Sequence, residues 1–126
     1  MIVAADTVVW LENRVFGKPK DEGEAAAMLR ALSGRTHEVF TGVSVIRAGK
    51  ELTRAVRSEV RFRVLSEREI AAYIATGEPM DKAGAYGAQG KAALFVERID
   101  GDFFNVMGLP LCMLGEMLKE QGVGLL

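Results

Sequence analysis

Histidine and cysteine are nearly absent: the 126 residues hold one of each, His37 and Cys112. A single cysteine excludes an internal disulfide and fits a reducing compartment. A single histidine leaves too little material for a histidine-rich metal site or a Ser-His-Asp triad. His37 reads as a strand-edge residue, and Cys112 as part of the apolar neighbourhood of the last helix. An excess of charge of one sign is missing too, since 16 Lys and Arg against 17 Asp and Glu leave a formal net charge of -1. No global field therefore draws the chain to nucleic acid or anionic lipid. The apolar runs are too short to span a bilayer. Met1-Ile2-Val3-Ala4-Ala5 lacks the basic start of a signal peptide, and Asp6 interrupts it. No linker, repeat or low-complexity tract divides the chain. These absences predict one cytoplasmic domain over residues 1–126, without nucleic-acid or membrane partners. With 49% hydrophobic and 26% charged residues, the chain can build an ordinary core.

What is present alternates between strand and helix patterns. Ile2–Val9 reads as a buried strand that leads into a hairpin at Glu12-Asn13. Asp21 caps a first helix with Glu24 three residues on; Ala25, Met28, Leu29 and Leu32 form its apolar face, and Gly34 ends it. The segment from Val39 to Ile46 is apolar on both faces and predicts a central strand. Across the turn Ala48–Glu51, the residues Val56, Ser58, Val60, Phe62 and Val64 alternate with Arg57, Glu59, Arg61 and Arg63, a half-buried strand with a solvated charged face. Ser66 and Glu69 form a capping box for a second helix whose stripe is Ile70, Tyr73 and Ile74, with Gly77 and Pro79 as its stop. A glycine-rich loop leads to a strand over Ala92–Ile99. A last helix starts near Pro110, carries Leu111, Leu114 and Leu118, and ends at Gly122. The class is α/β with a mixed sheet.

Three clusters carry chemistry. Asp6-Thr7 sets a carboxylate inside an apolar strand, where a buried charge needs a partner or a metal; taken alone, Asp6 is also simply a strand-end residue bonded to backbone amides. Lys18, between Gly17 and Pro19, can reach a phosphate as a point charge, although a solvated turn lysine is the simpler reading of that tripeptide. The loop Glu78–Gly90 joins three glycines to Asp81, Lys82, Tyr86 and Gln89. Its glycines let the backbone approach a ligand closely. The carboxylate and cation suit phosphate and metal, and the ring and amide suit a base. Loops of this kind concentrate function.

In order along the chain, these segments resemble the Maf family of nucleoside triphosphate pyrophosphatases. The matching pieces are Ala5-Asp6-Thr7-Val8-Val9, Gly17-Lys18-Pro19, Met28-Leu29 through Leu32-Ser33-Gly34-Arg35-Thr36-His37, and Thr41-Gly42-Val43. They continue with Thr76-Gly77-Glu78-Pro79, Asp81-Lys82-Ala83-Gly84-Ala85-Tyr86, Gln89-Gly90, Asn105-Val106 and Gly108-Leu109-Pro110-Leu111. The resemblance implies a fold like that of the inosine triphosphate pyrophosphatases: an elongated mixed sheet with flanking helices and a cleft between lobes. It implies hydrolysis of a nucleoside triphosphate to the monophosphate and pyrophosphate with Mg²⁺ or Mn²⁺, and a homodimer. Asp6 matches the proposed general base and a metal ligand, and Asp81 a carboxylate near the metal. Lys18 and Lys82 match lysines at the phosphates, and Thr7 and Gln89 match positions tied to base preference. The Asp-Lys-Ala-Gly-Ala-Tyr and Gln-Gly wording looks like the branch acting on dTTP and UTP.

The chain departs from the family at its start. Relatives open with a strand, a loop of the type Ser-x-Ser-Pro-Arg-Arg and a helix, whereas this chain opens at the Asp-Thr strand. Ala88 stands where isoleucine is common. The expectation is an N-terminally truncated domain that keeps the base, two lysines and base-reading residues but lacks an arginine clamp. Such a loss costs about 10³-fold or more in rate. A catalytically impaired nucleotide-binding or cell-division regulatory protein is the alternative reading.

Overall fold

In the computed structural model, which describes all 126 residues, five strands form one sheet. They are β1 (Ile2–Leu11), β2 (Arg14–Phe16), β3 (Thr36–Arg47), β4 (Lys50–Phe62) and β5 (Val96–Asp100), in the order β2-β1-β3-β4-β5. Four helices accompany them: α1 (Glu22–Leu32), α2 (Glu67–Ala75), α3 (Phe103–Met107) and α4 (Leu111–Glu120). The α/β class and flanking helices are those expected, but every strand pair is antiparallel. β2 and β3, joined through α1, do run parallel, but β1 lies between them, so no parallel pair is hydrogen-bonded. The two hairpins turn on Glu12-Asn13, at φ 47 and 65, and on Ala48-Gly49, at φ 50 and 77. Such left-handed pairs match the twist of a two-residue hairpin.

The sheet is covered on one face. His37, Val39, Thr41, Val43 and Val45 of β3 are all buried, while Phe40, Gly42, Ser44 and Ile46 of the other parity are not. One core cluster joins Val9, Leu11, Val39, Val60 and Phe62 to Leu29 and Leu32 of α1 and to Ile70, Tyr73 and Ile74 of α2. A smaller cluster sets Met117 and Leu118 of α4 on Val43 and Val45. Both helix caps read from sequence are formed: Asp21 accepts from Glu24 N, and Ser66 and Glu69 bond each other's backbone.

Several expectations need correction. β1 is not buried along its length: residues 2 to 6 are exposed and burial starts at Val9. β2 pairs only with Val9–Leu11, so the rest of β1 has a neighbour on one side alone. His37 is not an edge residue. It is 1% exposed, because β3 is central and its odd positions face the helices. β4 begins at Lys50, and Val64 lies beyond its end, largely exposed. The region expected as strand from Ala92 begins as a 3-10 turn, Lys91–Leu94. Leu111 and Cys112 are exposed, since Val43, Val45 and Leu52 are met by Met113, Leu114, Met117 and Leu118 of α4. The arginine face of β4 is solvated and paired, with Arg57 on Glu38 and Glu59, Arg61 on Glu97 and Arg63 on Glu69.

Candidate functional site

A cleft of about 290 Å³ opens where β1, the segment after β2, the glycine-rich loop and α3 meet. Asp6, Thr7, Lys18, Asp81, Lys82 and Gln89, the six residues singled out from three separate segments, all line it. Asp6 and Thr7 are strand neighbours and point to opposite faces. Both border the cleft because β1 has no strand beyond its outer edge before Val9. Asp6 is exposed, so its carboxylate needs no buried partner, contrary to the sequence expectation.

The loop is held against β1 by its backbone. Gly84 N bonds Gly17 O at 3.1 Å, tying the loop to the segment that carries Lys18. Gly84 sits at φ +70, and a Cβ there would lie 2.7 Å from Val9 Cγ2, so only glycine permits this approach. Two tyrosines anchor the next turn: Gly87 N donates to the Tyr73 hydroxyl at 3.1 Å, and the Tyr86 hydroxyl lies 2.7 Å from His37 Nε2. Burial pushes His37 down to about 4 and Tyr73 up to about 12, and it raises Tyr86 as well. Tyr86 is 6% exposed and packs edge-on against His37 and Phe62. Its ring is therefore wall rather than a platform for a base, which corrects the sequence expectation. Glu78, which that reading did not single out, accepts from Lys91 N and fills the space where a Cβ at Gly90 would stand.

Charge is balanced within the cleft. Lys82 Nζ bonds Asp81 Oδ1 at 3.1 Å; that bond and charge, with a smaller contribution from Lys18, hold the Asp81 carboxyl below its usual range. No three His, Cys, Asp or Glu side chains cluster closely enough to hold a metal by themselves. Asp6 and Asp81 offer two carboxylates at one cleft. That donor set fits a hard cation such as Mg²⁺, which takes one or two carboxylates and completes its shell with phosphate oxygens and water.

A polar network lies under the floor. The Thr7 and Thr41 hydroxyl oxygens are 2.9 Å apart, and Thr41 Oγ1 donates to Asn105 O at 3.2 Å. Asn105 is fully buried, and its Nδ2 donates to Val39 O and Ser58 Oγ. Asp102 caps α3 through Phe104 N and Asn105 N, and Gly108 ends it at φ +114. Sequence reasoning missed this helix and the roles of Thr41 and Asn105. Asp102 and Gly108, with the five residues Phe103–Met107 between them, were the available signal.

A family profile described as "Maf-like protein" matches residues 1–121. The chain is 56% identical over 121 residues to the dTTP/UTP pyrophosphatase of Thermococcus gammatolerans, covering 96% of this chain and 65% of that protein. It is 53% identical over 128 residues to that of Dictyoglomus turgidum, covering 100% of this chain and 66% of the relative. With that of Pasteurella multocida it shares 56% over 123 residues, covering 98% and 62%. The chain thus spans slightly less than two thirds of the length of these relatives.

Proposed function

The chain belongs to the Maf-like family, and from that premise we propose that its cleft binds a nucleoside triphosphate, dTTP or UTP, for hydrolysis to the monophosphate and pyrophosphate. The observation that carries the reading is the convergence of Asp6, Thr7, Lys18, Asp81, Lys82 and Gln89 on one cleft from segments far apart in the chain. The names of the relatives supply the substrate class.

The roles follow from the chemistry each side chain can do. Lys18 and Lys82 face the phosphates as mobile point charges. Asp6 and Asp81 would hold a divalent cation, whose charge would offset that of the phosphates. Asp6, exposed at the cleft margin, accepts the proton of the attacking water. The water oxygen bonds the α-phosphorus, the α–β anhydride bond breaks, and pyrophosphate leaves with the electron pair. Thr7 and Gln89 meet the base.

The test is product analysis at high protein concentration with dTTP or UTP and Mg²⁺ or Mn²⁺. Equal amounts of monophosphate and pyrophosphate are expected, with loss of turnover in Asp6→Asn at unchanged melting temperature. Full activity in Asp6→Asn removes this mechanism. A thermal shift with dTTP and no product identifies a binding protein instead.

A further inference from the structure

The hydroxyl protons under the cleft floor are all committed, and the order in which they are used decides what the cleft offers a ligand. A backbone carbonyl only accepts. The single Thr41 hydroxyl proton goes to Asn105 O, at 3.2 Å. Either hydroxyl could donate in the 2.9 Å contact between Thr7 and Thr41, but both contacts of Thr41 form together only when that proton comes from Thr7. Thr41 has no other water-facing choice, because it is fully buried on the central strand. Asn105 is fixed in turn. Its Nδ2 meets the Val39 carbonyl at 3.1 Å, a contact only the amide nitrogen satisfies, and the Ser58 hydroxyl at 2.9 Å. Ser58 sends its own proton to Asp102 O. The network runs one way, from Thr7 towards α3. Of these side chains Thr7 alone lines the cleft, and it reaches the cleft with lone pairs only.

We infer that Thr41 and Asn105 polarise Thr7 into an acceptor-only wall, and that this wall selects a nucleobase presenting a ring N–H over one presenting a ring-nitrogen lone pair. The inference rests on the nucleotide reading above. Uracil and thymine carry a proton on N3 and can donate it to Thr7. Cytosine carries a lone pair there, so two acceptors would face each other with no proton between them. Polar sites reject such mismatches far more strongly than they reject a missing methyl group. Gln89 cannot make this distinction alone: its amide is both donor and acceptor, and it is exposed and free to turn. Thr41 and Asn105 touch no ligand and act as positioning residues.

Equilibrium binding of UTP and CTP to wild type, Thr41→Val and Thr41→Ser tests this without requiring turnover. Wild type is expected to prefer UTP. Thr41→Val keeps the shape and removes the hydroxyl, which frees Thr7 to present its proton. The preference for UTP should then fall by about tenfold. Thr41→Ser restores the relay and should retain the preference. A purely structural role would lower both affinities alike and leave the ratio unmoved. Should Thr41→Val fail to fold, Thr7→Val removes the acceptor itself and must erase the preference, with Thr7→Ser keeping it. Equal binding of UTP and CTP by wild type, an unchanged ratio in Thr41→Val, or a preference that survives Thr7→Val overturns the relay while nucleotide binding stands. Failure to bind either triphosphate overturns the nucleotide reading, and the relay with it.

Discussion

His37 shows how one buried side chain ties the core to the cleft. Its Nε2 holds the Tyr86 hydroxyl, its Nδ1 has no partner, and burial lowers its pKa from 6.5 to about 4. The unfolded chain therefore takes up a proton near pH 6.5 that the folded chain refuses until about pH 4. Stability from this group is complete above pH 6.5 and is lost as pH falls towards 4, by up to about 3 kcal/mol. His37→Gln can still bond Tyr86 but cannot titrate. Urea unfolding at pH 7 and pH 4.5 should show a smaller loss in the variant than in wild type, and parallel losses would remove His37 as the cause. Neither the burial nor the Tyr86 contact was legible in the sequence. They arise because β3 lies at the centre of the sheet and the loop returns over it.

Elements defined by local chemistry were the legible ones. Asp21, Ser66 and Glu69 act within three residues of themselves, and α1 and α2 formed where those caps stand. The two-residue hairpin at Glu12-Asn13 was equally local. What escaped depends on distant partners. The strand expected from Ala92 is first a 3-10 turn, and α3 exists through its caps and the docking of Asn105 between β3 and β4. The six site residues were legible as chemistry, but the floor of Thr41 and Asn105 was not, because it forms only once α3 is in place. The loop supplies a prediction at this scale. Gly84→Ala places a Cβ 2.7 Å from Val9 Cγ2 at a φ of +70. It should cost about 2 kcal/mol or more in stability. It should also weaken dTTP binding, since the loop carries Lys82 and Gln89. Calorimetry and a thermal shift with dTTP read the two effects; an unperturbed variant would show that the loop does not rest on Val9.

At the scale of the molecule, the covered face of the sheet contrasts with the bare one. Val8, Trp10, Phe40 and Ile46 are only half-buried on the bare face, and Ile2 is 61% exposed. The outer edge of β1 is unpaired before Val9. Uncovered apolar surface and open strand edges seek partners. Self-association of this chain, as a homodimer or larger, is therefore the expected solution behaviour, and Phe40→Lys on the bare face should shift it towards monomer. Sedimentation velocity across a concentration series checks both; a wild-type monomer at every concentration would sink the expectation.

The parity of β1 divides two kinds of report. The single tryptophan, Trp10, shares its face with Asp6 and Val8 and sits opposite Glu38, away from Val9 and the core. Tyr86 lines the cleft on the other side. Indole emission will therefore follow contact between chains, whereas Tyr86, buried in the wall, is the ring that lines the nucleotide cleft. The alternation of one strand thus leaves a reporter of association on the bare face, outside the lining of the cleft.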